Sequence, residues 1–131
     1  MALNPFLSDA AANAAANAVG PLCNGGTIEI RSGTQPASAN AAATGTLLVT
    51  LTWAATAFGA AAAGVITAAA IGAANAVATG TAAWFRAKGS GGATVFDGSV
   101  GASGCDINLS SVNLTTGGNV ALSSFTYTQT E

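Results

Sequence analysis

Apolar and polar residues alternate at period two along much of this chain, the signature of half-buried strands. Between residues 27 and 31, Ile28 and Ile30 fall on one side and Thr27, Glu29 and Arg31 on the other. Residues 46–53 repeat the pattern, with Leu47, Val49, Leu51 and Trp53 on one face and Leu48, Thr50 and Thr52 on the other. In residues 81–88, Ala83, Phe85 and Ala87 oppose Ala82, Trp84, Arg86 and Lys88. Gly89-Ser90-Gly91-Gly92 then predicts a hairpin connection into a return strand at 93–100. There Thr94, Phe96 and Gly98 oppose Val95 and Asp97. Further strands are predicted at 64–71, at 105–109 with 112–114 as an extension, and at 120–130. In the last of these, Ala121, Ser123, Phe125 and Tyr127 share a face. Residues 32–36 and 115–119 carry turn chemistry. Residues 54–63 fit neither period, and 73–79 read as a loop or a turn of helix.

The opening is different. Residues 8–19 predict a helix: Ser8 or Asp9 caps it, alanine fills most of 10–18, and Gly20-Pro21 stops it. Asn13 and Asn17 lie four apart and share a face. A helix this short is marginal alone, so it needs a partner surface, either its own sheet or a neighbouring subunit. The organisation that follows is an alanine-rich N-terminal helix or arm over 1–20 and a single β domain over 21–131. The fold class is mainly β: an antiparallel sandwich, jelly-roll-like, or a small barrel, with seven or eight strands.

Half of the residues are hydrophobic, but much of that is alanine, and 6% are aromatic. The core therefore rests on a short series, from Leu22, Ile28 and Ile30 through Trp84 and Phe85 to Phe125 and Tyr127. Charge changes the picture more. Lysine and arginine together number 3, aspartate and glutamate 5, and histidine is absent. A charged fraction of 6% stands far below the roughly 25% usual in soluble domains, which favours a part built to contact other subunits. A net charge of −2 lacks the basic footprint of nucleic-acid binding. Without histidine there is no Ser-His-Asp set, and a cysteine nucleophile lacks its usual base. Cys23 and Cys105 lack metal-ligand spacing; free thiols are favoured over a bridge between them. Asp97 and Asp106 stand outside any dense ligand ladder for calcium. No cofactor is expected. Residues 53–85 are uncharged, but alanine, threonine and Gly59, Gly64, Gly72 and Gly80 dominate, which argues against a membrane span. Pro5 and Asp9, with no basic stretch ahead of them, argue against a secretory leader.

Two groups of charges merit attention. Glu29 and Arg31 form an exposed pair or reach across a subunit boundary. Arg86 and Lys88 flank Trp84 in strand alternation, where arginine stacks on indole, and Asp97 on the return strand is within reach of either base. Trp84 with Arg86 has the composition of an interface anchor.

Several stretches resemble small structural proteins of tailed bacteriophages: Leu7-Ser8-Asp9-Ala10-Ala11-Ala12-Asn13, Asn24-Gly25-Gly26-Thr27-Ile28-Glu29-Ile30, Gly33-Thr34-Gln35-Pro36, residues 78–86, Val95-Phe96-Asp97-Gly98-Ser99-Val100-Gly101 and residues 123–128. Within that class the chain is most similar to capsid decoration (cement) proteins. The resemblance implies a non-enzymatic virion protein on the capsid surface, assembled in the host cytoplasm. Its implied partners are the major capsid protein and copies of itself, as dimer or trimer. The candidate interface residues are Leu7, Val19, Trp53, Phe58, Trp84, Phe85 and Arg86. The alternatives are a tail, baseplate or head-fibre component, or a carbohydrate-binding β-sandwich.

Overall fold

A computed structural model describes residues 5–122 and 124–129. In chain order these form α1 (Asp9–Val19), a 3-10 turn (Gly20–Cys23), β1 (Thr27–Arg31), β2 (Leu47–Thr52), β3 (Val65–Thr67), β4 (Ala74–Asn75), β5 (Gly80–Thr81), β6 (Trp84–Lys88), β7 (Thr94–Gly101), β8 (Ile107–Asn108), β9 (Asn113–Leu114), β10 (Asn119–Val120) and β11 (Thr126–Thr128). The fold is mainly β with one short N-terminal helix. A curled five-stranded sheet runs in the order β2-β1-β6-β7-β8, and three two-stranded ladders, β10-β4, β11-β3 and β5-β9, accompany it. Every pair is antiparallel except β7-β8. This is a sandwich-like or small-barrel arrangement.

The core lies on the face of the main sheet that carries Ile28, Ile30, Val49, Leu51, Phe85 and Ala87, all essentially inaccessible. Phe125, one residue before β11, closes over it, its ring 5.7 Å from Phe85 and 6.1 Å from Phe96. Phe85 lies opposite Gly98 in the β6-β7 register. Its ring occupies the space a side chain would need, since a Cβ on Gly98 would fall 2.3 Å from Phe85 Cε1.

The helix forms and stops where the sequence predicts. Ser8 Oγ accepts the Ala11 N–H at 3.1 Å, satisfying one of the free donors of the first turn. Its partner is its own β structure: Ala12 and Ala16 are fully buried. The two asparagines explain the docking. Asn13 Oδ1 accepts the Gly64 N–H at 2.7 Å and Asn17 Oδ1 accepts the Ala61 N–H at 2.9 Å. The clamped segment is a tight hairpin turn in which Ala62 and Val65 exchange backbone bonds of 3.0 and 2.9 Å. Ala63 and Gly64 both take positive φ there, 51° and 77°, the backbone twist that two-residue hairpins require.

Several expectations are corrected. The described residues contain eleven short strands rather than seven or eight. Alanine-, glycine- and threonine-rich stretches carry few side chains able to hold a long ladder, so pairing comes in bursts of two or three residues. The segment 120–130 divides between two ladders, with Val120 pairing to Ala74 and Tyr127 to Ile66; Ser123 and Thr130, assigned to that strand, lie outside the described residues. The strand expected over 81–88 breaks at Ala82-Ala83. Asn75, in the stretch read as loop or helix, pairs with Asn119. Leu48, expected on the polar face of β2, is fully buried. It is covered from the second side at Gly80, where a Cβ would fall 3.0 Å from Leu48 Cδ2; the neighbouring segment is tied to β2 by the Val77 N–H, which donates to Leu48 O at 2.7 Å. Leu22, expected in the core, is 60% exposed, because the 3-10 turn buries Cys23 and Gly20 instead.

Candidate functional site

The pairing of β1, β6 and β7 builds a charged face. Glu29 lies opposite Arg86, and Arg86 opposite Asp97, so period two sets three ionised side chains in one row. Arg86 donates from Nε to Asp97 Oδ1 at 2.7 Å and from Nη2 to Oδ2 at 3.0 Å. The two side chains are 5% and 4% exposed. The guanidinium also sits 5.4 Å from the centre of the Trp84 ring, and Trp84 Nε1–H donates to Ser32 O at 3.1 Å. The hydrogen bond to Asp97 raises the Arg86 pKa against the opposing effect of burial. From the rows on either side, Lys88 Nζ and Arg31 Nη2 both donate to Glu29 at 3.1 Å. Burial pushes the Glu29 carboxyl up, but these hydrogen bonds and the two positive charges together outweigh it and leave the pKa lowered. Every lysine and arginine of the chain is therefore ion-paired within the chain.

This face contains two of the predicted interface residues. Trp84 and Arg86 are interior, 0% and 4% exposed; each completes its polar contacts inside the molecule. Phe85 is buried on the opposite face of the same strand. Trp53 and Phe58 are buried with Phe125 in an aromatic cluster with ring separations of 5.0, 5.7 and 6.1 Å. Large aromatic residues and arginine mark interfaces and cores alike, and here they mark the core. Val19 is half-buried at the end of α1, and Leu7 is 40% exposed. Phe6 is more exposed than any of these, at 74%. It stands outside every periodic segment, next to Pro5 and ahead of the helix cap, and that position was the available signal.

A groove of about 290 Å³ opens between β7 and β11. Phe96 and Tyr127, with rings 5.2 Å apart, are among its lining residues. Asp97, Cys105, Asp106, Thr126 and Thr128 also line it. Both flanking strands turn unpaired backbone toward it. Val100 N–H donates to Ala83 O, so alternation points the Asp97 backbone away from β6, and β8 pairs no further along β7 than Val100. Phe125 O and Gln129 N bond toward β3 and its turn, so the backbone groups of Thr126 and Thr128 face the other way. Asp106 covers the next edge position, accepting the Ser99 N–H at 2.9 Å and its hydroxyl at 3.0 Å. A second cleft, about 220 Å³, is lined by hydroxyl, amide and apolar groups of Ser110, Ser111, Asn113, Leu114 and Asn119.

Both cysteines are free thiols. Burial pushes the Cys23 pKa up to about 11, which keeps it protonated and unreactive. Cys105 is half-buried at the groove. Among the described residues no three of cysteine, aspartate and glutamate stand close enough to hold a metal ion, and no helix is long and apolar enough to cross a membrane. No protein family matches the chain, and no curated protein or solved structure does either.

Proposed function

We propose that this chain is a non-enzymatic structural protein of a tailed-phage virion that decorates and stabilises the capsid through contacts between subunits. The observation that carries the reading is the internal neutralisation of charge. All three bases are held by Glu29 and Asp97, so no basic side chain is free to grip phosphate or steer a charged substrate. What remains outside is mostly alanine, threonine, serine and glycine, with Asp9 and Asp106 as exposed carboxylates and Phe6 and Leu7 as exposed apolar side chains. Such a surface acts by shape and close contact. Copies that bind only the assembled lattice would add their binding free energy to its stability. The partners in this reading are the major capsid protein and further copies of the chain. A carbohydrate-binding role draws less support, because Trp53 and Trp84 are both interior and Tyr127 alone remains as a half-buried ring with a hydroxyl.

The test is attachment. Purified chain is added to tailed-phage heads stripped of their minor proteins, and bound copies are located in a particle map. Saturable occupancy of symmetry-related sites on the head, with capsids that resist heat better than bare ones, is expected. Density confined to the tail or baseplate would move the protein to that location, and absence from particles would end the proposal.

A further inference from the structure

The geometry points to an exchange of arms between two copies: the segment 5–8 of one chain lies in the groove between β7 and β11 of another, with Phe6 as its anchor. This does not rest on the capsid reading. Two incomplete surfaces on one molecule carry it. The first is the arm. Among the described residues, the exposed large apolar side chains are Phe6, Leu7, Leu22 and Val77, and two of these are adjacent in a segment that belongs to no helix or strand. At 74% exposure Phe6 does not occupy its own groove. The root of the arm is held by α1, which Asn13 and Asn17 fasten to the turn before β3.

The second surface is the groove. Its volume, about 290 Å³, lies just below the roughly 300–1,000 Å³ typical of small-molecule clefts. It suits one anchoring side chain better than a whole ligand. Phe96 and Tyr127 offer aromatic contact. The unpaired backbone of Asp97 on one side and of Thr126 and Thr128 on the other is what an extended segment hydrogen-bonds to when it adds to a sheet edge. The arm, residues 5–8, brings no charge to the groove, where only the Asp97 carboxylate has a cation partner. The groove's carboxylates are already engaged, Asp97 by Arg86 and Asp106 by Ser99. A second copy is the occupant because the chain itself carries both the apolar donor and the open acceptor, and reciprocal insertion closes into a symmetric assembly.

Cys105 in the groove supplies the test. A Phe6→Cys variant of the full chain is prepared in isotopically heavy and light forms, mixed, and oxidised with diamide. We expect a disulfide from position 6 to Cys105 that joins heavy to light chains, and its loss when Cys105→Ser is added. In the unmodified protein, sedimentation should show association that Phe6→Asp weakens about tenfold or more, with the two melting temperatures equal once both proteins are diluted to monomers. A 6-to-105 link within one chain, links between positions 6 alone, no link to Cys105, or a wild-type chain that stays monomeric up to its solubility limit would each overturn the exchange.

Discussion

The two faces of β6 solve burial in opposite ways. On one face Phe85 and Ala87 sit against Ile28, Ile30 and Phe125 with no polar group to satisfy. On the other, Trp84 and Arg86 are equally inaccessible, yet each carries a donor that must be matched. Ser32 O takes the indole N–H and Asp97 takes the guanidinium with two bonds. The first face gains from area removed from water. The second recovers what desolvation costs, so its pair is sensitive to the loss of one member and tolerant of the loss of both.

That difference can be broken directly. Phe85→Ala should destabilise the fold by about 3–5 kcal/mol in chemical denaturation. Asp97→Ala should cost a comparable ~3–5 kcal/mol, because it strands a buried cation. The double variant Arg86→Met/Asp97→Leu should restore most of that, and a double variant as unstable as Asp97→Ala would show that the charged face gains more from its ion pair than burial takes away. A smaller effect sharpens the apolar side. Gly98→Ala places a methyl against the Phe85 ring, and overfilling of this kind costs about 1–3 kcal/mol; Gly98→Ala combined with Phe85→Leu should recover part of it.

The smallest effect is acid-dependent. Glu29 titrates below its ordinary value of 4.5, so as pH falls the unfolded chain takes up this proton first. Its contribution is complete above the ordinary carboxylate range and drains as pH drops through the folded value. Glu29→Gln should change neutral-pH stability by under about 1 kcal/mol and flatten the acid limb of a melting-temperature profile. An unchanged acid limb would place the titration elsewhere.

Much of the architecture is legible in residue order. Thr27–Arg31 alternates cleanly and forms β1 with those bounds. The glycines after Lys88 set a hairpin, and that hairpin alone brings Asp97 beside Arg86. Asn13 and Asn17 share a face as spacing requires, although nothing local says what they bind. The unread part has a common cause. Alternation reports one buried face, whereas β6 and Leu48 are covered on both, and a second cover comes from segments distant in sequence. Direction is equally invisible: Ile107 pairs in parallel with Val100 because residues 102–106 loop back and Asp106 fastens to Ser99. The groove was hidden for the same reason, since an open edge is defined by which strands fail to meet, and strand order does not show in alternation. Of the residues chosen for an interface by composition, Trp53, Phe58, Trp84, Phe85 and Arg86 are interior and Leu7 is exposed.

The asparagine clamp has a consequence for the order of events during synthesis. The helix leaves the ribosome before its partners, since the two amides it must hold belong to residues 61 and 64, which lie 44 and 51 positions downstream of their acceptors. An eleven-residue helix is too short to persist unaided. It must therefore form, melt and reform until the Ala61–Gly64 turn emerges, and β1 waits longer still for its β6 neighbour. With so much of the structure secured by late arrivals, a ribosome-bound fragment ending before Trp84 should resist proteases poorly, and maturation should be paced by closure of distant contacts.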